Sequence, residues 1–184
     1  EFAKQKGLKV FSPEKIDNEY FAQYLKSLDA DMAIVVAFGQ ILSKEVLAEL
    51  KFGWINIHYS LLPKFRGAAP VQRAILQGEN ETGISFFAIE EGLDTGPIIK
   101  SYPYKLSDSA TTDSVLQELN VLVTQKIEEI ITSPALKILA RCINGEYTSD
   151  EMLILASKAL DGIATVTHSN STDSLLEISA DGVS

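Results

Sequence analysis

Apolar positions along the chain fall into blocks that alternate between strand and helix spacing. Leu8 to Phe11 reads as a short strand, stopped by Ser12 and Pro13. Tyr20, Phe21, Tyr24, Leu25 and Leu28 recur at helical spacing, with Asp17 or Asn18 as the N-cap. Met32 to Phe38 is unbroken apolar sequence, the pattern of a strand covered on both faces, and Gly39 ends it. Ser43 caps a short helix carrying Val46, Leu47 and Leu50. A strand from Trp54 to His58 follows, then a helix that Pro70 opens and that carries Val71, Ala74 and Ile75. Beyond the polar turn Glu79-Asn80-Glu81, strands are predicted over Ile84–Ile89 and Pro97–Tyr102; the short turn between them permits antiparallel pairing. Leu116, Leu119, Val123, Ile127 and Ile130 mark one face of a long helix, capped by Thr111, Thr112 or Asp113. After Pro134 the pattern suggests helices over Ala135–Ile143 and Glu151–Leu160, then short strands at Ile163–Val166 and Leu175–Ile178.

This order predicts an α/β domain built on a largely parallel sheet. Sites in such sheets lie beyond the carboxyl ends of strands. Asn56 and His58, two residues apart, share a strand face and reach such an end. An amide and an imidazole side by side are suited to grip one developing oxyanion. Asp94 lies between Gly92 and Gly96 in the loop after the next strand, where a flexible backbone lets a carboxylate approach closely. Taken singly, His58 reads equally as a core histidine, Asn56 as a turn anchor and Asp94 as an ordinary turn residue.

Taken together with their flanks, these residues resemble a known family. Asn56-Ile57-His58, then Ser60-Leu61-Leu62-Pro63, then Arg66 to Ile75 (RGAAPVQRAI) and Gly92-Leu93-Asp94-Thr95-Gly96 resemble formyltransferases that use 10-formyltetrahydrofolate. Within that superfamily the run from Arg66 is most similar to methionyl-tRNA formyltransferases. The resemblance implies a Rossmann-like formyltransferase fold, with the first strand and a basic loop missing ahead of Glu1. It implies a partial catalytic domain over 1–133 and an unmatched tail over 134–184. It implies Asn56, His58 and Asp94 as catalytic residues. Ser60, Leu61, Leu62 and Pro63 would bind the folate co-substrate, with Phe38 to Leu42 and the Asp94 loop completing the pterin pocket. The implied acceptor is initiator methionyl-tRNA, in the cytoplasm, with no metal. A small amine acceptor (glycinamide ribonucleotide or an amino sugar nucleotide) and an inactive folate- or partner-binding remnant are the alternatives. Tyr59 departs from the smaller residue or proline usual at its place and is expected to crowd the strand end. A sheet lacking a strand exposes an edge, which the strand-like stretch 163–178 is available to cover.

Composition narrows this. Of 184 residues 46% are hydrophobic and 22% charged, as in globular proteins, and no apolar run is long enough for a membrane helix. A net charge of −9 argues against broad nucleic-acid affinity but leaves room for a local basic patch at Lys64, Arg66 and Arg73. The single cysteine, Cys142, excludes an internal disulfide and reads as a small core residue. No Cys/His cluster has metal-ligand spacing, and His168 reads as part of a solvated turn.

Overall fold

The computed structural model describes residues 1–13, 16, 19–133, 165–166 and 178–179. Helices α1 (Phe2–Gln5) and α2 (Glu19–Ser27) precede strand β1 (Ala33–Val36); α3 (Lys44–Leu47) leads to β2 (Trp54–His58), and α4 (Pro70–Leu76) to β3 (Glu81–Ala88). Strand β4 (Ile98–Lys105) and the long helix α5 (Thr112–Thr132) complete the main body, and β5 (Thr165–Val166) and β6 (Ile178–Ser179) follow.

The main sheet has the order β1-β2-β3-β4. Strands β1 and β2 pair parallel, whereas β3 is antiparallel to both β2 and β4. Three of the four strands therefore point the same way, but only one neighbouring pair is parallel. The reversed β3 sits between two of them, because it joins β4 through a turn too short for a crossover. Pro103 lies within β4, which is tolerated because β4 ends the sheet and proline has no N–H to offer a further strand.

Alternation along β2 divides the core. Ile55 and Ile57 pack on one face with Ile84, Phe86, Val115, Leu119 and Ile130. Trp54 packs on the other with Leu25, Leu42, Val46 and Leu50. Each such side chain, removed from water, contributes about 1.5–3 kcal/mol before entropy is counted. Ser43 caps α3 through Val46 N–H, and Thr111 forms a reciprocal capping box with Ser114 on α5.

Three expectations are corrected. Leu8 to Phe11 is not a strand: Leu8 and Val10 are exposed, and Phe11 instead stacks on Tyr24 at 3.9 Å. The β1 run is not covered on both faces. Ala33 and Val35 meet the core, but Ile34 and Val36 are 37% and 47% exposed, because no described element packs on that side. The tail strands pair antiparallel with each other, with β6 beside β4, and not with β1. The caps expected at Asp17 or Asn18, the helices expected over 135–143 and 151–160, Cys142 and His168 lie outside the described residues.

Candidate active site

Strand β2 delivers Asn56 and His58 to the face opposite Ile55 and Ile57, as its alternation requires. His58 is buried, and its ring meets Phe87 edge-on at 6.5 Å. Its Nε2 lies 2.9 Å from the Phe65 carbonyl oxygen, and its Nδ1 3.5 Å from Asp94 Oδ2. A carbonyl only accepts, so Nε2 carries a proton. Nδ1 then faces a carboxylate. The ring thus stands between a hydrogen-bonded carbonyl and a carboxylate at ion-pair range.

Asp94 adopts a left-handed conformation, φ 50°, which aspartate tolerates better than most residues. Its Oδ2 accepts the Gly67 N–H at 2.7 Å. The side chains of His58 and Asp94 are only 8% and 12% exposed, so their attraction is weakly screened. Glycine is required at Gly96, where a Cβ would collide with the Ala88 carbonyl oxygen. Asn56 is half-buried, and its Oδ1 is buried with no hydrogen-bond partner. Native structures leave few such atoms unpaired.

The loop after β2 is organised from within. The buried Ser60 donates its hydroxyl to the Lys64 carbonyl at 2.6 Å, and Leu62 is buried. Ser85, on β3 opposite His58, accepts Leu62 N–H at 3.1 Å and lies 2.8 Å from the Ser60 carbonyl and 2.9 Å from Ser101 Oγ. Leu61 and Pro63 stay nearer the surface. They line a cleft of about 260 Å³ with Lys64, Phe65, Glu79, Glu81 and Thr82. Asn56, His58 and Asp94 do not line that cleft. Of the expected pterin-pocket segment, Leu42 is buried in the core and Ile41 is 72% exposed.

Tyr59 does not crowd the strand end. It turns to the opposite face, where its hydroxyl donates to Asn120 Oδ1 of α5 at 2.6 Å. The expected basic patch is also reduced. Lys64 pairs with Glu79 at 3.1 Å, and Arg73 turns inward to the Phe65 and Arg66 carbonyls, leaving Arg66 exposed. Sequence reasoning missed Ser85, the Phe65 carbonyl and the Gly67 N–H. Ser85 had a signal, a hydroxyl inside an apolar strand. The other two act through the main chain, which every residue carries.

Comparison with known proteins settles the family. The formyl transferase family model matches residues 1–133. The chain belongs to the formyl transferase family. This formyl transferase chain is 46% identical over 129 residues to a methionyl-tRNA formyltransferase of Thermodesulfovibrio yellowstonii, covering 70% of the chain and 42% of that relative. It is 53% identical over 107 residues to the methionyl-tRNA formyltransferase of Pelagibacter ubique, covering 58% and 34%. The matches thus span less than half the length of these curated relatives. Among solved structures, phosphoribosylglycinamide formyltransferase from Streptococcus pneumoniae shares the fold, with a TM-score of 0.63 at 22% identity over 70% of this chain and 76% of that one. The formyltransferase PseJ from Anoxybacillus kamchatkensis, solved with a formamido sugar nucleotide and tetrahydrofolate, has a TM-score of 0.57 at 22% identity, covering 76% and 70%.

Proposed function

We propose that this chain is the catalytic part of an enzyme that transfers a formyl group from 10-formyltetrahydrofolate to the amino group of methionyl-initiator tRNA. The observation that carries the chemistry is the meeting of His58 and Asp94 at 3.5 Å on the face that also presents Asn56. Identity of 46% and 53% to methionyl-tRNA formyltransferases supports the acceptor.

In this reading the amine lone pair attacks the formyl carbon, a C–N bond forms, and negative charge collects on the formyl oxygen. The Asn56 amide and the His58 Nε2–H stabilise that charge. At rest Nε2–H is held by the Phe65 carbonyl. An oxyanion is the stronger acceptor and competes for it. Asp94 orients the His58 ring and relays the proton lost by the amine, through water, to N10 as the bond from N10 to carbon breaks. Tetrahydrofolate leaves.

The folate is a substrate, and its placement follows the loop. Ser60 and Leu62 shape the loop from inside, while Leu61 and Pro63 offer surface to a flat ring. The cleft beside them, at about 260 Å³, lies just under the roughly 300–1,000 Å³ usual for small-molecule sites, so it accommodates part of such a molecule. We place the catalytic domain at 1–133, where the family match also ends, and a separate tail at 134–184. Among the described residues no helix is long and apolar enough to cross a membrane, and no cluster of His, Cys, Asp and Glu suits a metal ion. A cytoplasmic location fits a tRNA acceptor.

A formyl-transfer assay tests the reading. The chain, given 10-formyltetrahydrofolate, is expected to formylate charged initiator methionyl-tRNA and to leave glycinamide ribonucleotide and amino sugar nucleotides untouched. Transfer to a small amine instead would overturn the acceptor. Folate binding without any transfer would point to a non-catalytic remnant.

A further inference from the structure

Arg73 belongs to the first turns of α4, where side chains lean back toward the helix N-terminus. There it meets the loop that has just left β2. Its Nη2 donates to the Phe65 carbonyl at 2.6 Å and to the Arg66 carbonyl at 2.5 Å. The guanidinium also stacks near the Phe65 ring, 5.6 Å from its centroid. Its Nε is buried and has no partner. An arginine serving only as surface charge has no reason to accept that desolvation. Phe65 and Gly67 have positive φ, and the carbonyls of Phe65 and Arg66, ahead of the helix, take their donor from the Arg73 side chain.

The Phe65 carbonyl is the same oxygen that holds His58 Nε2 at 2.9 Å. We propose that Arg73 is a positioning residue: its guanidinium pins the Phe65 carbonyl, and through that one oxygen sets the orientation of the His58 ring. Two donors converge on the oxygen. When His58 turns its proton to another acceptor, Arg73 keeps the carbonyl paired, so the exchange leaves no buried orphan. The next residues of the loop close the circuit, because the Gly67 N–H orients Asp94 on the far side of the same ring.

The test reads the His58 ring directly by long-range 1H–15N correlation on the full chain. The chain has two histidines, and a His168→Gln background leaves His58 alone. Arg73→Met is expected to shift and broaden the Nε2 resonance as the ring loses its fixed acceptor. Arg73→Lys, with a single donor nitrogen and the charge retained, is expected to restore it in part. Unchanged resonances in both folded variants would overturn the proposal. If Arg73→Met does not fold, Arg73→Lys decides alone: a moved Nε2 signal supports the proposal and an unmoved one ends it. Loss of fold in both would make Arg73 a stability residue and also end it. The kinetic arm rests on the formyl-transfer reading. There kcat is expected to fall by up to about 10²-fold, the cost of a misplaced catalytic group, with the KM for the folate held. A parent chain that transfers no formyl group sinks that reading and leaves the ring measurement standing.

Discussion

His58 sits between two acceptors of different kind, a neutral carbonyl and a carboxylate, and only the second brings a charge to the ring. Asp94→Asn tests this. The amide oxygen can still take the Gly67 N–H, so the loop is kept, but the negative charge beside the ring is gone. We expect a folded chain whose kcat falls by about 10²–10⁴, the range for losing a proton-transfer group, measured in the formyl-transfer assay. Asn56 supplies a second test. Its buried Oδ1 has no partner among the described residues, so the side chain is not held for stability, and the proposed role falls to its amide N–H. Asn56→Ala is expected to lower kcat by about 10²–10³, typical of one oxyanion donor, without lowering the melting temperature. A normal rate would remove Asn56 from the chemistry.

Strand β3 and helix α5 carry the next level. Through Ser85, β3 ties down the loop after β2, the proposed folate segment: one hydroxyl serves Leu62 N–H, the Ser60 carbonyl and Ser101 Oγ. Ser85→Ala orphans the Leu62 amide in a buried place. The expected loss is about 1–3 kcal/mol, read in urea denaturation, with a weaker folate affinity as the loop loosens. Helix α5 is fastened by phenols. Tyr59 donates to Asn120 and Tyr104 to Glu118. Burial, then the nearby Glu129 carboxylate, holds the Tyr102 phenol well above its ordinary value. The hydrogen bond to Glu118 and then burial raise Tyr104, and burial raises Tyr59. A phenol raised on folding stabilises the chain below its unfolded value of about 10 and loses that contribution as pH climbs through the folded value. Thermal melts between roughly pH 8 and 12 should therefore show a decline above about pH 10. Tyr102→Phe should flatten it.

At the scale of the whole molecule, the sheet is closed at its centre and ends on two edge strands, β1 and β4. Strands β2 and β3 are flanked by paired neighbours, whereas β1 has β2 on one edge and no described strand on the other. Ile34, Val36 and Phe38 face solvent from there. Hydrogen exchange should order the sheet accordingly. Amides of Ile55, Ile57 and Phe86 are expected to exchange slowest, and those from Ile34 to Phe38 fastest within the sheet. Equal protection across β1 and β2 would mean that another segment covers the edge. What the chain determined by itself was its local chemistry. The spacing of apolar residues placed α4 and α5, which bury one face, and near-continuous apolar runs placed β2 and β3, which are buried on both. The spacing of Asn56 and His58 put them on one face, and the glycines around Asp94 marked a close turn. Tertiary structure decided the rest: that β3 runs against its neighbours, that one face of β1 stays bare, that Tyr59 turns to α5, that Arg73 turns inward. It also chose Phe65 and Gly67 to hold the site by their main chain. Every residue offers the same backbone groups, so which ones a side chain finds depends on how distant segments pack, and no local pattern records it.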